Sequence, residues 1–167
     1  MHFYGFADKP GVGATASSVP GNQRLDFEIY VCDRSTSVIE CFVKAPSAIR
    51  LLTDGDIGAA LALQQLEGWN QTVRDWSRLL QLAPTGCFAA ELDGRLSGTV
   101  TTITYGGALA WIGMMLVAPE HRRRGIGTKL LSTALDYLQT AGIAAVKLDA
   151  TPVGQPLYEG LGFCLKD

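Results

Sequence analysis

The sequence predicts an α+β (mixed α/β) fold, a central mixed sheet flanked by helices, on three observations. Between Cys87 and Val117, three strand-like runs are separated only by turn pairs, Asp93-Gly94 and Gly106-Gly107, which predicts an antiparallel meander. Helical periodicity appears on both sides of that meander. A further strand, IAAVKLDA, follows the last long helix, and strands interleaved with helices bury their apolar faces as layers around one sheet.

Each element has its own signal. Gly, Ser, Pro and Ala dominate the first 22 residues, which predicts a loop or disordered segment. LDFEIYVC and SVIECFVKA alternate as two strands, but nothing places them in a core. Residues 1–46 are therefore set apart as an N-terminal extension, and residues 47–167 as the domain. AIRLL is a short strand, and TDGD (Thr53 to Asp56) starts a helix in the manner of a capping box. GWNQ interrupts that helix, and TVRDWSRLLQL resumes with Val73, Trp76, Leu79 and Leu80 on one face. Pro119 ends the meander. The next helix carries Leu130, Leu131, Ala134, Leu135 and Leu138 on one face, and Gly142 stops it. PLYEGLGF is a last short helix closed by Gly162. Room for a strand after Phe163 is scant, so the final strand reads as missing or truncated. A continuation of the chain, a partner chain such as a second copy, or the N-terminal strand-like segment would complete the sheet.

Composition narrows the function classes. The chain has 167 residues, 47% of them hydrophobic, enough for one packed domain. A formal net charge of -2 argues against a duplex-binding module and predicts no nucleic-acid partner. No apolar run reaches membrane-spanning length, and the N-terminus lacks the basic flank and apolar core of a secretory signal, so the expectation is a cytoplasmic protein without a membrane partner. Cys32, Cys41, Cys87 and Cys164 are scattered, which suits buried thiols better than a metal site.

The stretch HRRRGIGTKLL, residues 121–131, holds the chemistry. It lies between a strand and a helix. A helix start offers unpaired N–H groups and a positive dipole end, and Gly125 and Gly127 let a ligand approach the backbone. That suits a phosphate or pyrophosphate. On its own the motif fits a solvated basic turn equally well.

The longer segment MLVAPEHRRRGIGTKLL resembles motif A of the GNAT superfamily of N-acetyltransferases, Gln/Arg-x-x-Gly-x-Gly/Ala, matched as Arg122-x-x-Gly125-x-Gly127. TPVGQPLYEGLGF resembles the family's motif B, ending in Tyr158, Gly162 and Phe163. EGWNQTVRDW, LAWIGM and KLDATPVGQPLYE look like a bacterial GNAT subgroup whose members often continue into a second half.

The resemblance implies acetyl-CoA (coenzyme A) as cofactor and a small-molecule amine as acceptor. It implies a wedge between two parallel strands, AWIGMMLV and AAVKLDA, with the backbone of Met115, Leu116 and Val117 along the pantetheine arm. The Met115 N–H would stabilise charge on the thioester oxygen. The pyrophosphate would sit on the amides of Arg123, Arg124, Gly125, Ile126, Gly127 and Thr128, with Arg122 and Arg124 either reaching it or facing solvent. Tyr158 would protonate the departing thiolate. Thr151 stands where many members have a cofactor-contacting Asn, which puts that contact in doubt. Asp149 and Glu67 are the candidate bases. Trp69, Asn70, Tyr105 and Trp111 are the candidate acceptor-side residues. An acyl-CoA-binding sensor on the same fold is the competing reading.

Overall fold

The computed structural model describes residues 29–31 and 48–165. In chain order these form β1 (Ile29–Val31), β2 (Ala48–Leu51), α1 (Ile57–Leu66), α2 (Val73–Leu82), β3 (Cys87–Leu92), β4 (Arg95–Tyr105), β5 (Leu109–Val117), α3 (Ile126–Thr140), β6 (Ala145–Leu148), α4 (Gln155–Gly160) and β7 (Phe163–Leu165). The run SVIECFVKA and the first 22 residues lie outside the described residues.

Turn chemistry builds the middle of the sheet. Asp93 and Gly94 have φ of +51° and +72°, the left-handed pair that a two-residue hairpin needs. β4 pairs antiparallel with both β3 and β5, and β2 adds to the free side of β3. β6 joins β5 in parallel, which takes the α3 crossover to achieve. The five strands run in the order β2-β3-β4-β5-β6. The expected short end is present as β7, and β1 pairs with it antiparallel, Ile29 opposite Leu165. β1 and β7 form a two-stranded sheet of their own, so a piece of the N-terminal segment pairs with the last strand.

Helices cover both faces. Ile126, Leu130, Leu131, Ala134 and Leu138 of α3 pack on Phe88, Val100, Ala110 and Ile112. On the other face Ile57 and Ala60 of α1 and Trp76 and Leu80 of α2 pack on Cys87 and Ala89. Val73 departs from the expected helix face: it is exposed, because the buried stripe of α2 begins one turn later with Trp76. Cys164 is likewise exposed rather than a buried thiol, while Cys87 is buried. Among the described residues no helix is long and apolar enough to cross a membrane.

Polar side chains fix the helices at their ends. Asp56 accepts from the Thr53 N–H and receives two hydrogen bonds of 2.8 Å from Arg50, whose Nε donates at 2.7 Å to Glu91. The Arg50 bonds hold the Asp56 carboxyl well below the usual carboxylate range. Gln64, fully buried on α1, does the corresponding work for the GWNQ loop. Its amide oxygen accepts from Trp76 Nε1 at 2.8 Å, its amide nitrogen donates to the Gln71 carbonyl, and its own carbonyl accepts from the Trp69 N–H at 3.1 Å.

Gln64→Ala would strand the Trp76 indole N–H and the Gln71 carbonyl without partners. Urea unfolding should show a loss of about 2–4 kcal/mol, since each abandoned polar group costs about 1–3 kcal/mol.

Candidate active site

The site begins with one extra residue in β5. Thr99 is opposite Leu116 and Thr101 is opposite Gly113, so three steps on β5 face two on β4. This is a β-bulge, and because side chains alternate with period two, one extra residue turns the rest of the strand over. Ala110 and Ile112 belong to the core under α3, whereas Met114 and Leu116 belong to the core under α1 and α2. Met115 and Val117 take over the α3 side. Met114 sits at φ +47°, a left-handed conformation that costs a non-glycine residue about 1–3 kcal/mol. The buried Thr99 hydroxyl donates to the Met114 carbonyl at 2.7 Å and holds the bulge in place.

At the same level the pairing of β5 with β6 ends, because β6 itself ends at Leu148. Their pairing runs from Leu109 opposite Ala145 to Ile112 opposite Leu148 and stops. Residues 113–117 of β5 continue past the end of that register. This stretch of β5, with Met115, Leu116 and Val117, is where the family resemblance would set the wedge.

The start of α3 faces this wedge. Gly125 precedes the helix at φ +77°, and the amides of Ile126, Gly127 and Thr128 lie in the first turn, where no earlier carbonyl of the helix can accept them. A Cβ on Gly127 would lie 3.3 Å from Leu157, 3.5 Å from Met115 and 3.7 Å from Val117. The glycine thus keeps open a space walled by α3, α4 and β5 together. Ile126 contributes only backbone here, since its side chain is in the core. Arg123, at φ +57°, and Arg124 are exposed at the rim. Arg122 is engaged within the protein: Nε donates to the Val117 carbonyl at 3.1 Å, and the guanidinium is ion-paired with Glu67 at the end of α1.

Tyr158 is buried on α4, edge-on to Phe163 with ring centroids 6.1 Å apart. Burial pushes its phenol up to about 12. Thr151 is committed locally. Its carbonyl accepts from the Gly154 and Gln155 N–H groups at 2.9 Å, and its hydroxyl accepts from the Gly154 N–H at 3.3 Å. Asp149 is exposed just past β6.

A groove of about 350 Å³ opens on the α1/α2 face, within the small-ligand range of about 300–1,000 Å³. Trp111, Ile103, Leu79 and Met114 form its apolar wall, with Gln71 and Arg78 among its polar groups. Of the four residues expected on the acceptor side, the groove includes Trp111. Trp69 packs against the α1/α2 core, Asn70 is exposed in the loop, and Tyr105 is exposed at the far end of β4. Sequence reasoning missed Thr99, Gln64, Gln71 and Arg78. Gln64 had a signal, a lone amide on the helix face that carries Ile57 and Ala60. Thr99 had none, since threonine is an ordinary strand residue.

The model of the "Acetyltransferase (GNAT) family" matches residues 59–163, most of the chain. The chain belongs to the GNAT acetyltransferase family. Acetyl-CoA is the co-substrate of this family, and the space a Cβ would fill at Gly127, beside the stretch of β5 beyond β6, fits it. This GNAT domain is 35% identical over 83 residues to a mycothiol acetyltransferase of Thermomonospora curvata, a match spanning 48% of this chain and 28% of that protein. It is 32% identical over 95 residues to a probable N-acetyltransferase camello of Xenopus tropicalis, spanning 53% and 43%. The match thus spans less than half the length of either relative. Among solved structures, a putative acetyltransferase from Pyrococcus horikoshii superposes with a TM-score of 0.64 at 26% identity, over 74% of this chain and 45% of that one. A predicted acetyltransferase from Clostridium acetobutylicum, solved with acetyl-CoA, shares the fold with a TM-score of 0.59 at 22% identity, over 72% and 92%.

Two predictions follow from the bulge and the buried acids. Thr99→Val keeps the shape and removes the bond to Met114, so chemical unfolding should show a loss of about 1 kcal/mol. Burial raises the Cys87 thiol to about 11 and the Tyr158 phenol to about 12. In the unfolded chain these protons leave near pH 8.5 and 10. The folded chain therefore holds more protons in that window, and stability should fall as pH rises from about 9 to 12. Tyr158→Phe should flatten the upper part of that fall.

Proposed function

We propose that this chain moves an acetyl group from acetyl-CoA directly to a primary amine of a small-molecule or amino-acid-like acceptor. The observation that supports the reading is the bulge at Met114: beyond it β5 runs past the end of β6, and Met114 itself lines the groove. Acetyl-CoA supplies an acetyl thioester open to attack by a nucleophile.

The chain's residues divide the remaining work. The amides of Arg123 to Thr128 hold the pyrophosphate, aided by the positive end of α3. The backbone of Met115, Leu116 and Val117 aligns the pantetheine arm, and the Met115 N–H donates to the oxygen on which charge develops. Tyr158 gives its phenolic proton to the departing sulfur. With its phenol raised to about 12, it carries that proton throughout the neutral range. The incoming amine must shed a proton. Asp149, just past the end of β6, and Glu67, ion-paired with Arg122, are the two carboxylates proposed to take it. Cys87 supports direct transfer, because a thiol raised to about 11 by burial is not a thiolate nucleophile at neutral pH.

Tyr158→Phe should lower kcat by about 10²-fold or more, the usual worth of a general acid. The dissociation constant for coenzyme A, measured by calorimetry, should stay the same. Unchanged turnover would remove Tyr158 from the chemistry. Coenzyme A binding without acetylation of any amine in a broad panel would favour a sensor.

A further inference from the structure

Building on the acetyl-transfer reading, we propose that the groove beside Met114 is an α-amino-acid site that takes an acceptor with an apolar side chain, its carboxylate on Arg78 and its amine on Gln71. Three observations on the same groove meet in this assignment.

The first is shape and polarity. Trp111, Ile103, Leu79 and Met114 make one apolar wall, and Gln71, Asp75 and Arg78 lie together along the loop and the first turns of α2. A ligand filling the groove has an apolar body and polar groups at one end.

The second is an unanswered acceptor. Gln71 Oε1 is buried and has no hydrogen-bond partner. The loop cannot easily turn it away, because the Gln71 carbonyl is held by Gln64 from inside. A buried amide oxygen is satisfied by an N–H donor, which an amine supplies.

The third is charge. Asp75 Oδ2 accepts from the Thr72 N–H at 2.7 Å and from its hydroxyl at 2.8 Å, so this carboxylate is engaged as the cap of α2. Those bonds hold it below its ordinary range, and it stays anionic. Arg78, one turn further on, makes no hydrogen bond or ion pair among the described residues. One cation and one anion, with an amide lining the same groove, complement a zwitterion. A polyamine would leave Arg78 facing another cation, and a phosphorylated amine would ask for more positive charge than one guanidinium provides.

The experiment measures acetylated product by mass spectrometry with the whole chain, acetyl-CoA and five acceptors: L-phenylalanine, L-leucine, phenethylamine, spermidine and a Phe-Gly-Gly peptide. Phenylalanine and leucine should exceed phenethylamine in kcat/KM by about tenfold or more, the effect of one charge-assisted carboxylate contact. Arg78→Gln should cut the phenylalanine-to-phenethylamine ratio by a similar factor through KM, and Arg78→Lys should restore part of it. Binding of N-acetyl-L-phenylalanine, followed by calorimetry, should weaken in parallel in Arg78→Gln, a readout independent of turnover. Preference for phenethylamine, spermidine or the peptide, or an unchanged ratio in Arg78→Gln, would overturn the amino-acid site and leave acetyl transfer standing. Failure to acetylate any of the five, or any amine in a wider panel, while coenzyme A still binds would overturn both.

Discussion

A threonine hydroxyl on a backbone carbonyl, Thr99 to Met114, secures the one irregularity on which the layout of this domain turns. With the bulge, the upper half of β5 faces the opposite way from the lower half. Met115 and Val117 then line the α3 side where Ala110 and Ile112 would otherwise set the alternation. The same irregularity coincides with the end of the β5–β6 register, so residues 113–117 of β5 extend beyond their pairing with β6. The left-handed Met114 is strained, and a buried hydrogen bond together with packing on both faces keeps it so.

Around that point the polar contacts link regions far apart in sequence. Arg122 joins the end of β5 to the end of α1 through the Val117 carbonyl and Glu67. Gln64, three residues before Glu67, sets the loop that carries Gln71 toward the groove. The basic loop before α3 and the loop between α1 and α2 are therefore braced against the same strand. The arginine that stands first in the Arg-x-x-Gly-x-Gly pattern thus works as an internal tie.

Much of this was legible in the sequence, because local rules wrote it. Asp93-Gly94 dictates a hairpin, Thr53 and Thr72 cap helices, Gly142 stops one, and the α3 stripe has the period of a half-buried helix. The turn into α3 was also readable, since Gly125 takes the left-handed conformation, φ +77°, that precedes the helix. The bulge was not, as no residue type in WIGMML signals a left-handed methionine. The groove was misjudged for a related reason. Trp69 and Asn70 stand in the loop that borders it, yet the loop's hydrogen bonds to Gln64 turn Trp69 into the core and bring Gln71 forward. Which residue of a loop faces a ligand depends on contacts made across the fold, and composition does not record them.

The pairing of β1 with β7 bears on how the chain assembles. β3, β4 and β5 are neighbours in sequence as well as in the sheet, so their contacts close short loops. β6 must wait for α3, and Ile29 meets Leu165 only across nearly the whole described chain. Loop-closure entropy grows slowly with length, about 0.6 kcal/mol per doubling, so this long-range pairing is affordable at equilibrium. Its cost is in time, because non-local contacts form late. Residues 29–31, made early, are therefore fixed late, against a strand that the other end of the chain supplies.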